Sequence, residues 1–197
     1  MTGLSLDPVA PGEAADLAAL VVALYAEDDH GPVPMTPARA RAQVLAMLAT
    51  PDRVRPLWIR LDDEVAGYVI LAEFWSNEFG GPMLYVDEMY VRPALRGRGI
   101  GSAILDRLVT EARARDLVRV SLEVNEGNPR AEALYRRLGF TSEARRTLSV
   151  QLRPVPGASA TGAPRPPRRR ARGARRASTL RPPRRTSSQS RRRRPTG

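Results

Sequence analysis

The stretch Arg96-Gly97-Arg98-Gly99-Ile100-Gly101-Ser102 lies where the chain changes period. Before it, Met83 to Val91 reads as a strand. After it, Ile100, Ala103, Ile104, Leu108 and Ala112 recur at three- and four-residue spacing, the mark of a helix with one apolar face. A glycine-rich turn from strand to helix suits an anion. Its glycines let backbone approach a phosphate, the first helical amides lack acceptors within the helix, and the dipole adds partial positive charge. Arg96 and Arg98 add two permanent charges whose fork matches phosphate oxygens.

Two common phosphate-binding patterns do not fit. A Walker loop needs Lys after its second Gly, and all 32 basic residues of this chain are Arg. The dinucleotide fingerprint needs a third Gly where Ser102 stands, although Glu123 is near the place of a ribose-binding acid. A pyrophosphate on another scaffold remains. Working outward, Asp87-Glu88-Met89-Tyr90-Val91-Arg92-Pro93 precedes the turn, and Asn128-Pro129-Arg130-Ala131-Glu132-Ala133-Leu134-Tyr135-Arg136-Arg137-Leu138-Gly139-Phe140 follows it. Arg96 to Gly101 resembles the R/Q-x-x-G-x-G/A motif of the GCN5-related N-acetyltransferase (GNAT) superfamily. The first flanking segment is similar to that family's fourth strand, and the second to its later helix with the N-x-x-A-x-x-x-Y and G-F signatures. The resemblance runs from Leu4 to Leu152.

The resemblance implies acetyl-CoA as acyl donor. The loop Arg96, Gly97, Arg98, Gly99, Ile100, Gly101 and Ser102 would hold its pyrophosphate. Amides of Met89, Tyr90 and Val91, where the family's fourth and fifth strands splay apart, would meet the pantetheine arm and the thioester oxygen. Asn128, with Arg130 and Ala131, would complete the donor side. Tyr135 matches the position of the family's general acid, and a phenol of pKa ~10 suits protonation of a departing thiolate; the competing reading is a core aromatic. For the base, Asp87 and Glu88 offer adjacent carboxylates. Plain strand alternation puts Asp87 with Met89 and Val91 and Glu88 with Tyr90, so one of them faces the acceptor. The strand resembles that of the polyamine acetyltransferase branch, where the acid at the place of Asp87 contacts substrate. Asp87 therefore comes first, Glu88 second, and a water relayed by such acids third. Glu73, Glu78 and Glu123 would add negative potential. The chain has no Cys, so direct attack by a primary amine in a ternary complex is expected, and with a single His no metal site is expected.

The order of elements predicts an α+β domain over residues 1–152, a central mixed and mostly antiparallel sheet flanked by helices. Leu4 to Val9 reads as a first strand, and Pro11-Gly12-Glu13 opens a helix reaching Glu27 with Ala15, Ala18, Val21, Val22 and Tyr25 on its apolar face. Glu27-Asp28-Asp29 opposes that helix's dipole and reads either as a solvated end or as a rim attracting a cationic substrate; His30 follows in a Gly-Pro loop. Thr36-Pro37 starts a helix to Ala49. Leu57 to Leu61, the turn Asp62-Asp63-Glu64 and Val65 to Phe74 form a hairpin, with Gly67 marking a bulge or close backbone contact. Trp75 and Phe79 either close the core or line an amine pocket. Val118 to Val124 reads as a buried strand, and Phe140 with Leu148-Ser149-Val150 as a closing antiparallel ribbon.

The net charge of +11 hides two opposite halves. Residues 1–152 hold all 21 acids and 17 Arg, giving −4, whereas residues 153–197 hold 15 Arg and no acid, giving +15. That tail is rich in Pro, Ser, Gly and Ala without an aromatic, so it is expected to be disordered. It reads as a solvated tail or as a non-specific nucleic-acid contact, salt-sensitive and blind to sequence. The alternative function is therefore a nucleic-acid or ribosome-associated binding protein acting through the tail. No apolar run approaches a membrane span and no basic leader opens the chain, so a cytoplasmic place without membrane contact is expected. The resemblance also makes a homodimer possible and leaves the acceptor open among polyamines, aminoglycosides, amino acids and protein amines.

Overall fold

The computed structural model describes residues 3–27, 34–143 and 147–153. Asp28, Asp29, His30 and the tail from residue 154 lie outside them, and with them the expectations for His30 and for a disordered tail.

Five strands lie in chain order in one sheet: β1 (Leu4–Pro8), β2 (Val54–Leu61), β3 (Glu64–Ser76), β4 (Gly81–Val91) and β5 (Arg119–Leu122). The first three pairings are antiparallel and β4–β5 is parallel. A parallel neighbour needs a crossover, and α3 (Ile100–Ala114) supplies it. Helices α1 (Ala14–Glu27) and α2 (Pro37–Leu48) cover one face, where Leu17, Val21 and Val44 pack with Trp58, Tyr68 and Ile70. On the other face Ile100, Ile104 and Leu108 of α3 pack with Ile59, Val69, Leu71, Leu84 and Val86. Each such fully buried aliphatic side chain contributes about 1.5–3 kcal/mol through lost water contact. The helix α4 (Pro129–Arg137) follows β5 and buries no residue completely.

Local chemistry explains the boundaries. Thr36 Oγ1 accepts from the Arg39 amide at 3.3 Å, with Pro37 in the first helical position. Asp62 and Asp63 both have positive φ, as a two-residue hairpin turn requires. Gly139, at φ +88°, ends α4, and the Phe140 amide reaches back to the Tyr135 carbonyl at 3.0 Å. Gly67 fulfils both expectations for it: the β2–β3 register shifts beside it, and a Cβ there would collide with the Tyr90 carbonyl.

Several expectations are corrected. β3 runs on through Ser76 and β4 starts at Gly81, each two residues beyond the strand ends read at Phe74 and Met83. Trp75 at 69% exposure and Phe79 at 39% do not close the core; Phe79 instead lies under the Arg119 guanidinium, 4.5 Å from its ring centre. β5 is shorter than read and only half-buried, because it is an edge of the sheet. Leu148-Ser149-Val150 forms no strand among the described residues, and Leu148 and Val150 are 92% and 79% exposed. Three alternating residues are too short a ladder to fix a pairing by themselves.

Candidate active site

The turn after β4 has the geometry of an anion cradle. Gly97 and Gly99 sit at φ +79° and +81°, a region that costs a side-chain-bearing residue strain. Gly99 is the N-cap of α3 and offers no side chain to cap it, so the first amides of that helix stay without an internal acceptor. They open on a cleft of about 570 Å³ lined by Met89, Tyr90, Val91, Arg96, Gly97, Gly99, Ile100, Gly101, Ser102, Asn128, Arg130, Ala131 and Tyr135. The chain thus brings together nearly every residue expected on the donor side, although Arg98 does not line this cleft. Arg98 is exposed and makes no ion pair among the described residues.

One edge of β4 is open at this point. Its pairing with β5 stops at Val86 with Leu122, while β4 continues to Val91. From Asp87 on, that edge has no strand partner among the described residues, and its amides can serve a ligand. Asn128 Oδ1 accepts from the Ala131 amide at 3.1 Å as the N-cap of α4, leaving its Nδ2 group as a donor. Tyr135 also lines a second cleft of about 910 Å³ along β5, with Tyr85 and Glu123. Burial pushes its phenol above the ordinary tyrosine value, so it holds its proton throughout the neutral range.

The two carboxylates are arranged differently from plain alternation. Ile70 pairs with Glu88 and Leu71 with Val86, so Asp87 is the extra residue of a β-bulge. The bulge resets the rhythm: Met89 packs with the α3 side and Tyr90 with the α1 side. Glu88, as expected, shares the side of Tyr90, where Tyr25 Oη donates to its Oε1 at 2.8 Å and Tyr68 Oη to its Oε2 at 2.9 Å. Asp87 does not group with Met89 and Val91. It lies within electrostatic reach of Tyr25 on the α1 side and of Tyr85 and Glu123. Burial first, then the Glu123 charge, raises its carboxyl above the usual range. Neither acid lines the 570 Å³ cleft.

Sequence reading offered Glu27 only as part of a solvated end or an acceptor rim and missed it as a partner of Arg96 at the phosphate loop. Its Oε2 lies 2.7 Å from Arg96 Nη2, and its Oε1 accepts from Tyr90 Oη at 3.0 Å. The acidic end of α1 is therefore paired at Glu27, which offsets the dipole cost. Arg96 also donates from Nε to the Val91 carbonyl at 2.8 Å and stacks 5.3 Å from the Tyr90 ring centre. No sequence spacing announces a contact between residues this far apart. Glu73 was expected near the base; it is instead tied to Arg55 and Arg115 at 2.6 and 2.8 Å.

A family model for the acetyltransferase (GNAT) family matches residues 19–140, well over half the chain. The chain belongs to this family. A mycothiol acetyltransferase of Beutenbergia cavernae is 40% identical over 91 residues, 45% of this chain and 29% of that protein. A thialysine N-epsilon-acetyltransferase of Bos taurus is 36% identical over 75 residues, 38% of this chain and 44% of its own length. The chain thus spans less than half the length of both relatives. Among solved structures, a predicted acetyltransferase of Clostridium acetobutylicum with acetyl-CoA shares the fold at a TM-score of 0.59, with 18% identity, covering 76% of this chain and 96% of its own. GNAT proteins use acetyl-CoA as acyl donor. The uncapped helix end, the two positive-φ glycines and the open edge of β4 fit a diphosphate followed by an amide-bearing arm. Among the described residues no three His, Cys, Asp or Glu side chains form a metal cluster, and no helix is long and apolar enough to cross a membrane.

Proposed function

We propose that this chain is an acetyl-CoA dependent N-acetyltransferase that acts on a primary amine by direct attack in a ternary complex. The observation that carries the reading is one cleft on which the α3 amides, the open edge of β4 and the Tyr135 phenol converge. Acetyl-CoA supplies the acetyl thioester, whose thiolate departs when the amine nitrogen bonds to the acyl carbon. The loop Arg96 to Ser102 binds the diphosphate through backbone amides, while the Met89 to Val91 amides orient the arm and serve as oxyanion donors. Such donors contribute roughly 3–4 kcal/mol each in other enzymes. Tyr135 Oη gives its proton to the departing thiolate; burial keeps the phenol protonated until that step.

The amine arrives as a cation and must lose a proton. Asp87 is the first candidate to receive it: burial and the Glu123 charge raise its carboxyl above the usual range, and no hydrogen bond occupies it among the described residues. Glu88, with both oxygens already accepting from tyrosines, is second as the base and fits better the holding of a relayed water or of the acceptor's charge. The acceptor is a small cationic amine or a protein amine, a class to which the thialysine relative's name also points. The test incubates the full chain with acetyl-CoA and a panel of polyamines, aminoglycosides, amino acids and peptides and follows thiol release. Release with an amine, and none without, is expected. Binding of CoA with no amine-dependent release across the panel would oppose the reading.

The second reading rests on the tail. With 15 Arg and no acid from residue 153 on, it would bind nucleic acid non-specifically in low salt.

A further inference from the structure

We propose that Glu27 is a positioning residue for the acyl-donor site, holding the Arg96 guanidinium against the end of β4 and thereby fixing the Gly97–Gly99 turn that presents the α3 amides. The inference rests on the donor-site reading above. Its starting point is the state of Arg96. A lone guanidinium at the mouth of a phosphate loop would ordinarily be assigned to the phosphate. Here three contacts occupy it: the Glu27 carboxylate at 2.7 Å, the Val91 carbonyl at 2.8 Å and the Tyr90 ring at 5.3 Å. The second Glu27 oxygen accepts from Tyr90 Oη at 3.0 Å, so one carboxylate closes a ring around both side chains.

That ring joins three elements at the residues that shape the cleft. Glu27 is the last residue of α1, Tyr90 and Val91 end β4, and Arg96 opens the turn. Between Arg96 and the α3 N-cap lie two residues only, Gly97 and Arg98. The turn has little packing of its own: a Cβ added at Gly97 would meet nothing within 4 Å. Ordering a glycine turn carries a high entropic cost. Anchoring Arg96 supplies that order from outside the turn. The same last stretch of α1 also carries Tyr25, which donates to Glu88, so the helix end touches both the donor loop and a candidate acceptor-side carboxylate.

The competing outcome is that the pair only stabilises the fold. Its two side chains are 33% and 38% exposed, and such pairs are worth little in stability. The test therefore reads ligand affinity as well as melting. CoA binding by calorimetry and steady-state kinetics are compared for the full chain, Glu27→Ala, Glu27→Gln, Arg96→Ala, the double Glu27→Ala/Arg96→Ala variant and Gly99→Asp. Glu27→Ala is expected to weaken CoA roughly tenfold and raise KM for acetyl-CoA with kcat changed much less, because the loop loses its preset shape. The double variant should be no weaker than the worse single one, the signature of two side chains acting together. Glu27→Gln, which keeps an acceptor for Tyr90, should recover part of the loss. Unchanged or tighter CoA binding in Glu27→Ala, or strictly additive losses in the double variant, overturns the proposal, and a freed Arg96 that gripped the diphosphate would give the tighter result. If the full chain itself fails to bind CoA, or Gly99→Asp binds as well as it does, the donor-site reading fails first and the role of Glu27 with it.

Discussion

In the proposed reaction, Tyr135 delivers the proton to the departing thiolate. Removing only its hydroxyl, Tyr135→Phe should lower kcat by about 10²-fold, the usual scale of a lost general acid, while CoA affinity stays within about twofold. Rapid-mixing kinetics beside calorimetry separates the two, and equal turnover would exclude the role. Asp87 makes a prediction of opposite sign for stability and activity. Burial and Glu123 favour its protonated form, so the folded chain binds that proton more tightly than the unfolded one. The linked stability is greatest below the ordinary carboxyl range near pH ~4 and falls as pH rises through the raised folded value. Asp87→Asn should therefore leave melting at pH 7 equal or higher, yet slow the acetylation of amines and remove the acidic limb of the rate profile. A variant less stable at pH 7 would contradict the electrostatic account.

At the scale of elements, α3 is a helix with two tasks: its first turn offers amides and its apolar face anchors the sheet. Ile104 is fully buried against that sheet, and Ile104→Ala should cost about 2–5 kcal/mol, measured by denaturant unfolding. This double role is why the donor side is so legible in sequence. Gly97 to Ser102 declares itself by composition, and the change from strand to helix period around it fixes which element each residue occupies. Asn128, Pro129 and Gly139 likewise mark both ends of α4 by local chemistry alone. What stays hidden depends on distant partners. Alternation cannot see the bulge at Asp87, because the shift is set by how β3 pairs across. The Glu27 to Arg96 contact and the two tyrosines around Glu88 join residues that only the folded sheet brings together. The ribbon at Leu148 to Val150 fails for the converse reason: it has a strand's local rhythm but no strand beside it among the described residues.

For the whole molecule, charge divides the chain more sharply than any other property, −4 before residue 153 and +15 from there on. An enzyme of small amines should keep its kcat and its melting temperature when residues 154–197 are removed, and lose only salt-sensitive retention on nucleic acid. A fall in amine turnover on removal would tie the tail to catalysis. The bulge in β4 carries a last consequence. Val86 and Glu88 already face neighbouring residues of β3, so excising the single codon for Asp87 would close the strand into an unbroken ladder, with every later side chain keeping its side of the sheet. Most one-residue deletions within a strand invert all that follows; this one should yield a folded protein that still grips CoA and lacks only the proposed proton acceptor.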